Sequence, residues 1–338
     1  VKIVELTPAL EPVWDRFATS AAHAMLYYGL GWRDLLARLL GCRPRYLMAM
    51  DGETPAGILP LMQADGPYGT VLNSLPYYGS NGGVLAADET ARAALWQAYV
   101  DATGAADVAA ATVIAHPLRP DAPPDASYQF TDDRIGQWTA LGSTVPPLWD
   151  RIDGTARRNI RKAEKSGIRV SVDNSAFDFL YDTHHDNITA IGGLAKDYRM
   201  FALVAECFAG DRDYRLYVAH AGDTPVAALL LFYHGDIVEY FTPATVHDAR
   251  ELQPSAALLM AAMTAAGDAG YRWWNWGGTW LSQQGVYRFK RKWGAEDRPY
   301  RYYIRLNEPA MRDARRTDLL SAYPGFFTLP FGVLTPAE

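Results

Sequence analysis

Only six lysines stand among the 32 basic residues of this 338-residue chain; the rest are arginine. Two of them, Lys290 and Lys292, alternate with Arg288 and Arg291 between the aromatic residues Tyr287, Phe289 and Trp293. Packing of those three rings would leave the Lys290 ammonium near a cleft rim. A positive group there suits the negative oxygen that develops when an amine attacks an ester or thioester. It equally suits a phosphate, and an ordinary surface lysine is the plainest alternative.

A second group runs from Glu239 to Ser255 (EYFTPATVHDARELQPS). Side chains alternate along a strand, so Tyr240 and Thr242 are expected on one face. The loop that follows carries His247, Asp248, Arg250 and Glu251 just before a helix. Polar groups at a strand end beside a helix N-terminus suit a ligand with a carbonyl or phosphate. Glu239, His247 and Asp248 are the nearest groups able to take a proton, although removal through water would need none of them. The alternative is a solvated loop. A third group is the charged helix 156–165 (ARRNIRKAEK), in which Arg158, Arg161, Lys162 and Lys165 point away from an apolar line of Ile152, Ala156, Ile160 and Ala163. It is either a solvated face or a platform for a phosphorylated substrate or a tRNA end.

Much other chemistry is without a signature. The net charge of -6 argues against a protein whose task is gripping duplex DNA. Cys42 and Cys207 match no zinc spacing and no disulfide scaffold. His184-His185-Asp186 is the one histidine cluster, but adjacent helical residues do not share a face, so no metal is expected. Dinucleotide, Walker and serine-hydrolase motifs do not occur. No stretch approaches the roughly 20 apolar residues that cross a bilayer, and no secretion signal is evident, so a cytoplasmic location is expected, with the inner face of the membrane as the alternative.

The elements that must position these residues show a repeat. YLMAMDGETPAGILPLM from Tyr46 recurs, 170 positions later and without a gap, as LYVAHAGDTPVAALLLF from Leu216. Each copy reads as strand, tight turn, strand, with the turns Gly52-Glu53-Thr54-Pro55 and Gly222-Asp223-Thr224-Pro225. A helix precedes each copy, Trp32 to Leu40 and Tyr198 to Phe208. The second half continues as strands 226–233 and 237–242, then a helix opened by Pro254 with a stripe of Leu258, Leu259, Ala262, Met263 and Ala266. An aromatic strand, Tyr271 to Trp276, and a last strand, Tyr300 to Arg305, follow. The expected division is 1–153, 154–306 and a tail, 307–338, that packs on one domain.

ARRNIRKAEKSG at 156–167, ELQPSAALLMAAMTAAGDAGYRWWNWGG at 251–278 and GVYRFKRKWGAE at 285–296 together resemble the Fem-type peptidoglycan-bridge aminoacyltransferases and their acetyltransferase-like relatives. The resemblance covers most of residues 25–305 and implies an α/β fold of two tandem GNAT (Gcn5-related N-acetyltransferase) domains. These would be mixed, largely antiparallel sheets flanked by helices. It implies transfer of an aminoacyl or acyl group, by direct aminolysis, to the amine of a cell-envelope precursor that is nucleotide-linked, lipid or polysaccharide. The donor would be aminoacyl-tRNA or acyl-CoA, with no tightly bound cofactor and no DNA partner. Lys290 matches the lysine of the acyl-transfer centre, Arg158 and Arg161 the basic helix, and Lys162, Asn275 and Arg288 lie in the same motifs as binding candidates. In the first half, Tyr77, Tyr78, Ser80 and Asn81 form a polar aromatic loop that would face an acceptor. Two rivals remain: a plain acyl-CoA-dependent N-acetyltransferase, and a non-catalytic scaffold in polysaccharide synthesis. The glycine-rich Arg/Gln-x-x-Gly-x-Gly/Ala loop of the acetyl-CoA enzymes is replaced here by DARELQPSAAL.

Overall fold

The computed structural model describes residues 1–77, 81–119, 121–280 and 283–334. The chain divides into two compact units, residues 1–134 with 299–338, and residues 135–298. In chain order the first unit contains β1 (Lys2–Glu5), α1 (Glu11–Ser20), α2 (Leu30–Leu40), β2 (Arg43–Pro44), β3 (Leu47–Asp51), β4 (Thr54–Leu59), β5 (Met62–Gly66), β6 (Gly69–Asn73), β7 (Leu85–Ala86), α3 (Glu89–Thr103) and β8 (Val108–Ile114). Strand β9 (Phe130–Ala140) leads into the second unit, which holds α4 (Leu148–Arg151), α5 (Gly154–Lys165), β10 (Ile168–Val172), α6 (Phe177–Thr189), α7 (Tyr198–Cys207), β11 (Tyr214–Ala221), β12 (Thr224–His234), β13 (Ile237–Thr245), α8 (Pro254–Asp268), β14 (Trp273–Thr279) and α9 (Gln284–Arg291). Strand β15 (Glu296–Leu306) and α10 (Arg316–Ala322) return the chain to the first unit.

The two repeated segments form matching hairpins. β3 and β4 turn at Gly52 (φ 59°) and β11 and β12 at Gly222 (φ 61°). Both turns need the left-handed conformation that glycine adopts without a steric penalty. Asp51 faces Thr54 and Met50 faces Pro55; Ala221 faces Thr224 and His220 faces Pro225. Each hairpin has a register shift at the same place, between Ala49 and Met50 and between Ala219 and His220. A parallel strand pair also occurs in each unit: β6 with β8, from Thr70 opposite Val108 to Asn73 opposite Thr112, and β13 with β14.

In the second unit the strands run in the order β10-β11-β12-β13-β14-β9. One face is sealed by α5 and α8. The expected stripes turn inward: Ile152, Ala156, Ile160 and Ala163 from the basic segment, and Leu258, Leu259, Ala262, Met263 and Ala266 from α8, pack with Trp274 and Trp276. Asp153 caps α5 by accepting from the Thr155 N–H at 2.6 Å. Some boundaries differ from the sequence reading. In the sequence Gly267 and Gly270 mark the stop of α8, but the helix runs through Gly267 to Asp268, because a helix tolerates one glycine at a cost of only about 1 kcal/mol. The aromatic strand begins at Trp273 and continues through Gly277-Gly278 to Thr279, since β9 pairs with that far end.

Ile160→Ala removes a 3 %-exposed side chain from this interface. It is expected to cost about 2–4 kcal/mol, read as a lower urea midpoint. Lys162→Ala, on the exposed side of the same helix, is expected to stay within about 0.5 kcal/mol of the parent.

Candidate active site in the second unit

β13 and β14 pair in parallel over three residues: Ile237 with Trp273, Val238 with Trp274, and Glu239 with Asn275. Beyond Glu239 and Asn275 no further pairing between them occurs among the described residues, although β13 continues to Thr245 and β14 to Thr279. Local irregularities let them part. β13 bulges at Phe241, the register against β12 shifting between Leu230 opposite Thr242 and Leu231 opposite Tyr240. β14 shifts against β9 between Asn275 and Gly278, where Gly277 takes φ 71°. An extra residue in a ladder bends its strand and re-aims the side chains around it.

The bulge overturns one expectation. Cross-strand partners share a face. Leu231 belongs to the α5/α8 core and Leu230 does not, so Tyr240 and Thr242 lie on opposite faces. Tyr240 packs against Trp276 and Trp274 at ring distances of 5.0 and 6.2 Å. Thr242 turns to the α6/α7 face and is fully buried. Glu239 also lies on that face, opposite Phe232.

At the point of parting, one hydrogen-bonded chain connects three sequence candidates. Asn275 Nδ2 donates to Glu239 Oε2 at 2.7 Å, and Asn275 Oδ1 accepts from the Gly277 N–H at 2.9 Å. Lys290 Nζ donates to Gly277 O and Gly278 O at 3.3 Å each and to Thr279 Oγ1 at 2.8 Å. Thr279 Oγ1 in turn donates to Gln137 Oε1 at 3.0 Å. Lys290 is therefore not at a rim. It is 5 % exposed and held by three oxygens, and burial pulls its ammonium down to about 8. The reason is helical geometry: Lys290 and Trp293 are three residues apart and turn inward, while Val286 and Phe289 are exposed.

His247 and Asp248 do not join this chain. They lie exposed on a short 3-10 turn and contact each other at 3.2 Å. With Arg250 they border one depression. Arg250 also borders a second, of about 350 Å³, with Thr245, Gln253, Pro254 and Ser255 at the start of α8. Gln253 there has φ 60° and ψ 40°, a left-handed conformation ordinarily left to glycine. The glycine-free stretch thus still makes a tight turn into a helix N-terminus, where backbone N–H groups favour a phosphate.

The remaining candidates are scattered. Arg158, Arg161 and Lys162 are exposed on α5, with Arg158 donating to Thr155 Oγ1 at 3.0 Å and Arg161 lying 5.3 Å from the Trp149 ring. Arg288 is exposed on α9, and the two basic helices are tied by the Asp153 N–H donating to Lys292 O at 2.8 Å. In the first unit Asn81 turns inward, 3 % exposed, and its Nδ2 donates to Ala115 O at 3.2 Å. Tyr77 is half-buried at φ 79°, with its N–H donating to Gly325 O. Tyr78 and Ser80 lie outside the described residues. Sequence reasoning missed Thr279 and Gln137, which only β9–β14 pairing brings to Lys290. It weighed His184 only as a metal ligand and passed over Lys196, which is signalled only by the rarity of lysine.

Residues 152–291 match the family of acetyltransferase (GNAT) domains. No curated protein is significantly similar to the chain. Among solved structures, FemX is similar over 92 % of this chain and 99 % of its own, with 14 % identity and a TM-score of 0.70. The C-terminal domain (DUF2156) of a putative lysylphosphatidylglycerol synthetase from Agrobacterium fabrum is similar over 87 % and 93 %, with 15 % identity and a TM-score of 0.53. A tandem GNAT protein from the clavulanic acid pathway is similar over 91 % and 99 %, with 11 % identity and a TM-score of 0.51. The fold is accordingly an α/β fold of GNAT type, a mixed sheet flanked by helices, and it is residues 152–291 that match the GNAT domain family.

Lys290 has a measurable signature. Its folded value of about 8 lies below the ordinary 10.5, so the unfolded chain holds the extra proton between those values and stability rises with pH across that window. In 13C-lysine-labelled protein its Cε resonance is expected to titrate near pH 8. That titration and its share of the rise in stability are expected to vanish in Lys290→Met.

Proposed function

We propose that this protein is an N-acyltransferase whose chemistry takes place where β13 and β14 part, and that its two units are tandem domains of one GNAT type. The observation that carries the reading is the Glu239–Asn275 pair at the end of the parallel ladder. A buried carboxylate stands there beside strands whose backbone groups are not paired to each other. The matching hairpins, register shifts and parallel pairs support the tandem arrangement.

In this mechanism a donor with a phosphate-bearing handle rests that handle against Arg250 and the start of α8. Its activated carbonyl lies in the opening between the strands. The acceptor amine gives a proton to the Glu239 carboxylate as its nitrogen attacks the carbonyl carbon. The resulting oxyanion collapses and expels the thiolate or alkoxide of the donor. Asn275 holds Glu239 in place through the 2.7 Å bond. Lys290 fixes Gly277 to Thr279 and sets a buried positive charge beside the developing oxyanion. The donor is acyl-CoA or aminoacyl-tRNA. The α8 depression favours a compact pyrophosphate, whereas the exposed Arg158, Arg161 and Lys162 favour an RNA end. The acceptor class we propose is the amine of a cell-envelope precursor.

Thermal-shift and native mass measurements with acetyl-CoA, aminoacyl-tRNA and UDP-sugars separate the donors. Stabilisation by acetyl-CoA alone makes it a CoA enzyme, and stabilisation by aminoacyl-tRNA with CoA inert makes it a bridge-type enzyme. If every ligand is silent and no acyl transfer occurs, the scaffold reading replaces this one. Glu239→Gln, which keeps an acceptor for Asn275, is expected to lower kcat by about 10²–10³ with an unchanged Tm. Lys290→Ala is expected to lower turnover by about 100-fold or more; full turnover in that variant would remove Lys290 from the mechanism.

A further inference from the structure

The α6/α7 face of the second unit holds more buried hydrogen-bonding capacity than the acyl-transfer chain uses. Asn187 pins α6 to β13: its Nδ2 donates to Thr245 O at 2.9 Å and its Oδ1 accepts from the Thr245 N–H at 3.0 Å. Three residues earlier, on the same side of α6, is His184, 5 % exposed. His184 Nε2 lies 3.3 Å from the Lys196 N–H and accepts from it. In a neutral ring the proton is then on Nδ1, and that buried Nδ1–H has no partner among the described residues. Lys196 reaches on to β13, its Nζ 5.2 Å from the Phe241 ring. The next residue, Thr242, is 0 % exposed, and its Oγ1 also has no partner among the described residues.

Among the described residues, two buried groups that can donate, His184 Nδ1 and Thr242 Oγ1, are therefore unsatisfied, on residues linked through Lys196: its backbone bonds His184 and its ammonium lies over Phe241, next to Thr242. Each is costly while unpaired, so a ligand that supplies acceptors recovers that energy. The matching ligand is an oxygen-rich anion. Thr242 follows Glu239 by three strand positions, which places the pair within about 10 Å. That distance is spanned by a molecule carrying its amine and its anionic group close together.

We propose that His184, Lys196 and Thr242 form an anion subsite for the acceptor, which takes a carboxylate or phosphate borne near the reactive amine. The assignment to the acceptor rests on the acyl-transfer reading; the anion site does not. The electrostatics agree with a site awaiting negative charge. Burial, then the charges of Lys196 and His185, depress His184 to about 4, and burial depresses Lys196 to about 8. Glu239 shares the face, with its Oε2 accepting from Asn275 Nδ2.

The test is a titration of the full chain, labelled with 15N-histidine, using sodium phosphate and sodium acetate against sodium chloride at constant ionic strength. A saturable shift of the His184 ring nitrogens is expected with one of the two oxyanions and not with chloride. The preferred one identifies phosphate or carboxylate. Affinity is expected to fall about tenfold in Lys196→Met and in Thr242→Val, a nearly isosteric change that removes only an unpaired hydroxyl. In a transfer assay the same anion is expected to raise the acceptor KM and leave kcat unchanged. A His184 signal that does not saturate with either oxyanion, or an affinity in both variants equal to that of the parent protein, overturns the site. Binding without competition overturns its assignment to the acceptor. Saturation in a protein that transfers no acyl group overturns the catalytic reading and leaves the anion site standing.

Discussion

Two strands that begin hydrogen-bonded and then diverge leave backbone donors and acceptors that water, a ligand or side chains must satisfy. In the second unit this divergence begins at Glu239 and Asn275, and much of the surrounding structure maintains it. Gly277 supplies the left-handed kink and Phe241 the bulge. Lys290 holds the departing segment by three hydrogen bonds from beneath α9. An ammonium is costly to bury, and this one is retained because two carbonyls and a hydroxyl replace its water. The opening is thus a held feature of the sheet.

The sheet also separates two chemistries by face. Toward α5 and α8 it is apolar and aromatic, with Tyr240, Trp274 and Trp276 in mutual contact. Toward α6 and α7 it carries Glu239, Thr242 and Asn275, joined by His184 and Lys196 from the covering helices and their connecting loop. The single-residue bulge at Phe241 produces this separation, because it breaks the alternation that would have put Tyr240 beside Thr242. Charge is divided in a similar way. A chain of net charge -6 places its exposed basic residues densely on α5 and α9, which meet at Asp153 and Lys292.

Much of the fold was legible in the sequence where the signal was periodic or local. The stripes of α5 and α8, the hairpins at Gly52 and Gly222, and the opening of α8 at Pro254 each follow from side-chain spacing or turn chemistry over fewer than 20 residues. The candidate site was legible in residue type only. Glu239, Asn275 and Lys290 were all identified, but their connection runs through Gly277 and depends on the pairing of β14 with β13 on one side and β9 on the other. Lys290 read as lying near a cleft rim because alternation with arginine and aromatic residues does not say which side of a helix faces the core. His247 and Asp248 read as catalytic because they are chemically able, yet the turn that carries them holds both in solvent.

The sequence alone determined where the stripes of α5 and α8 and the two hairpins lie, and which few residues are of types able to move a proton or hold a negative charge. Those are properties of local spacing and side-chain type. The tertiary structure decided that Glu239 and not His247 lies at the opening, that Lys290 is a buried clamp, and that His184 on α6 and Thr242 on β13 are both buried. Those outcomes depend on strand register, one bulge and the rotation of each helix against the sheet. They are set by packing between residues distant in the chain, which no short stretch of sequence encodes.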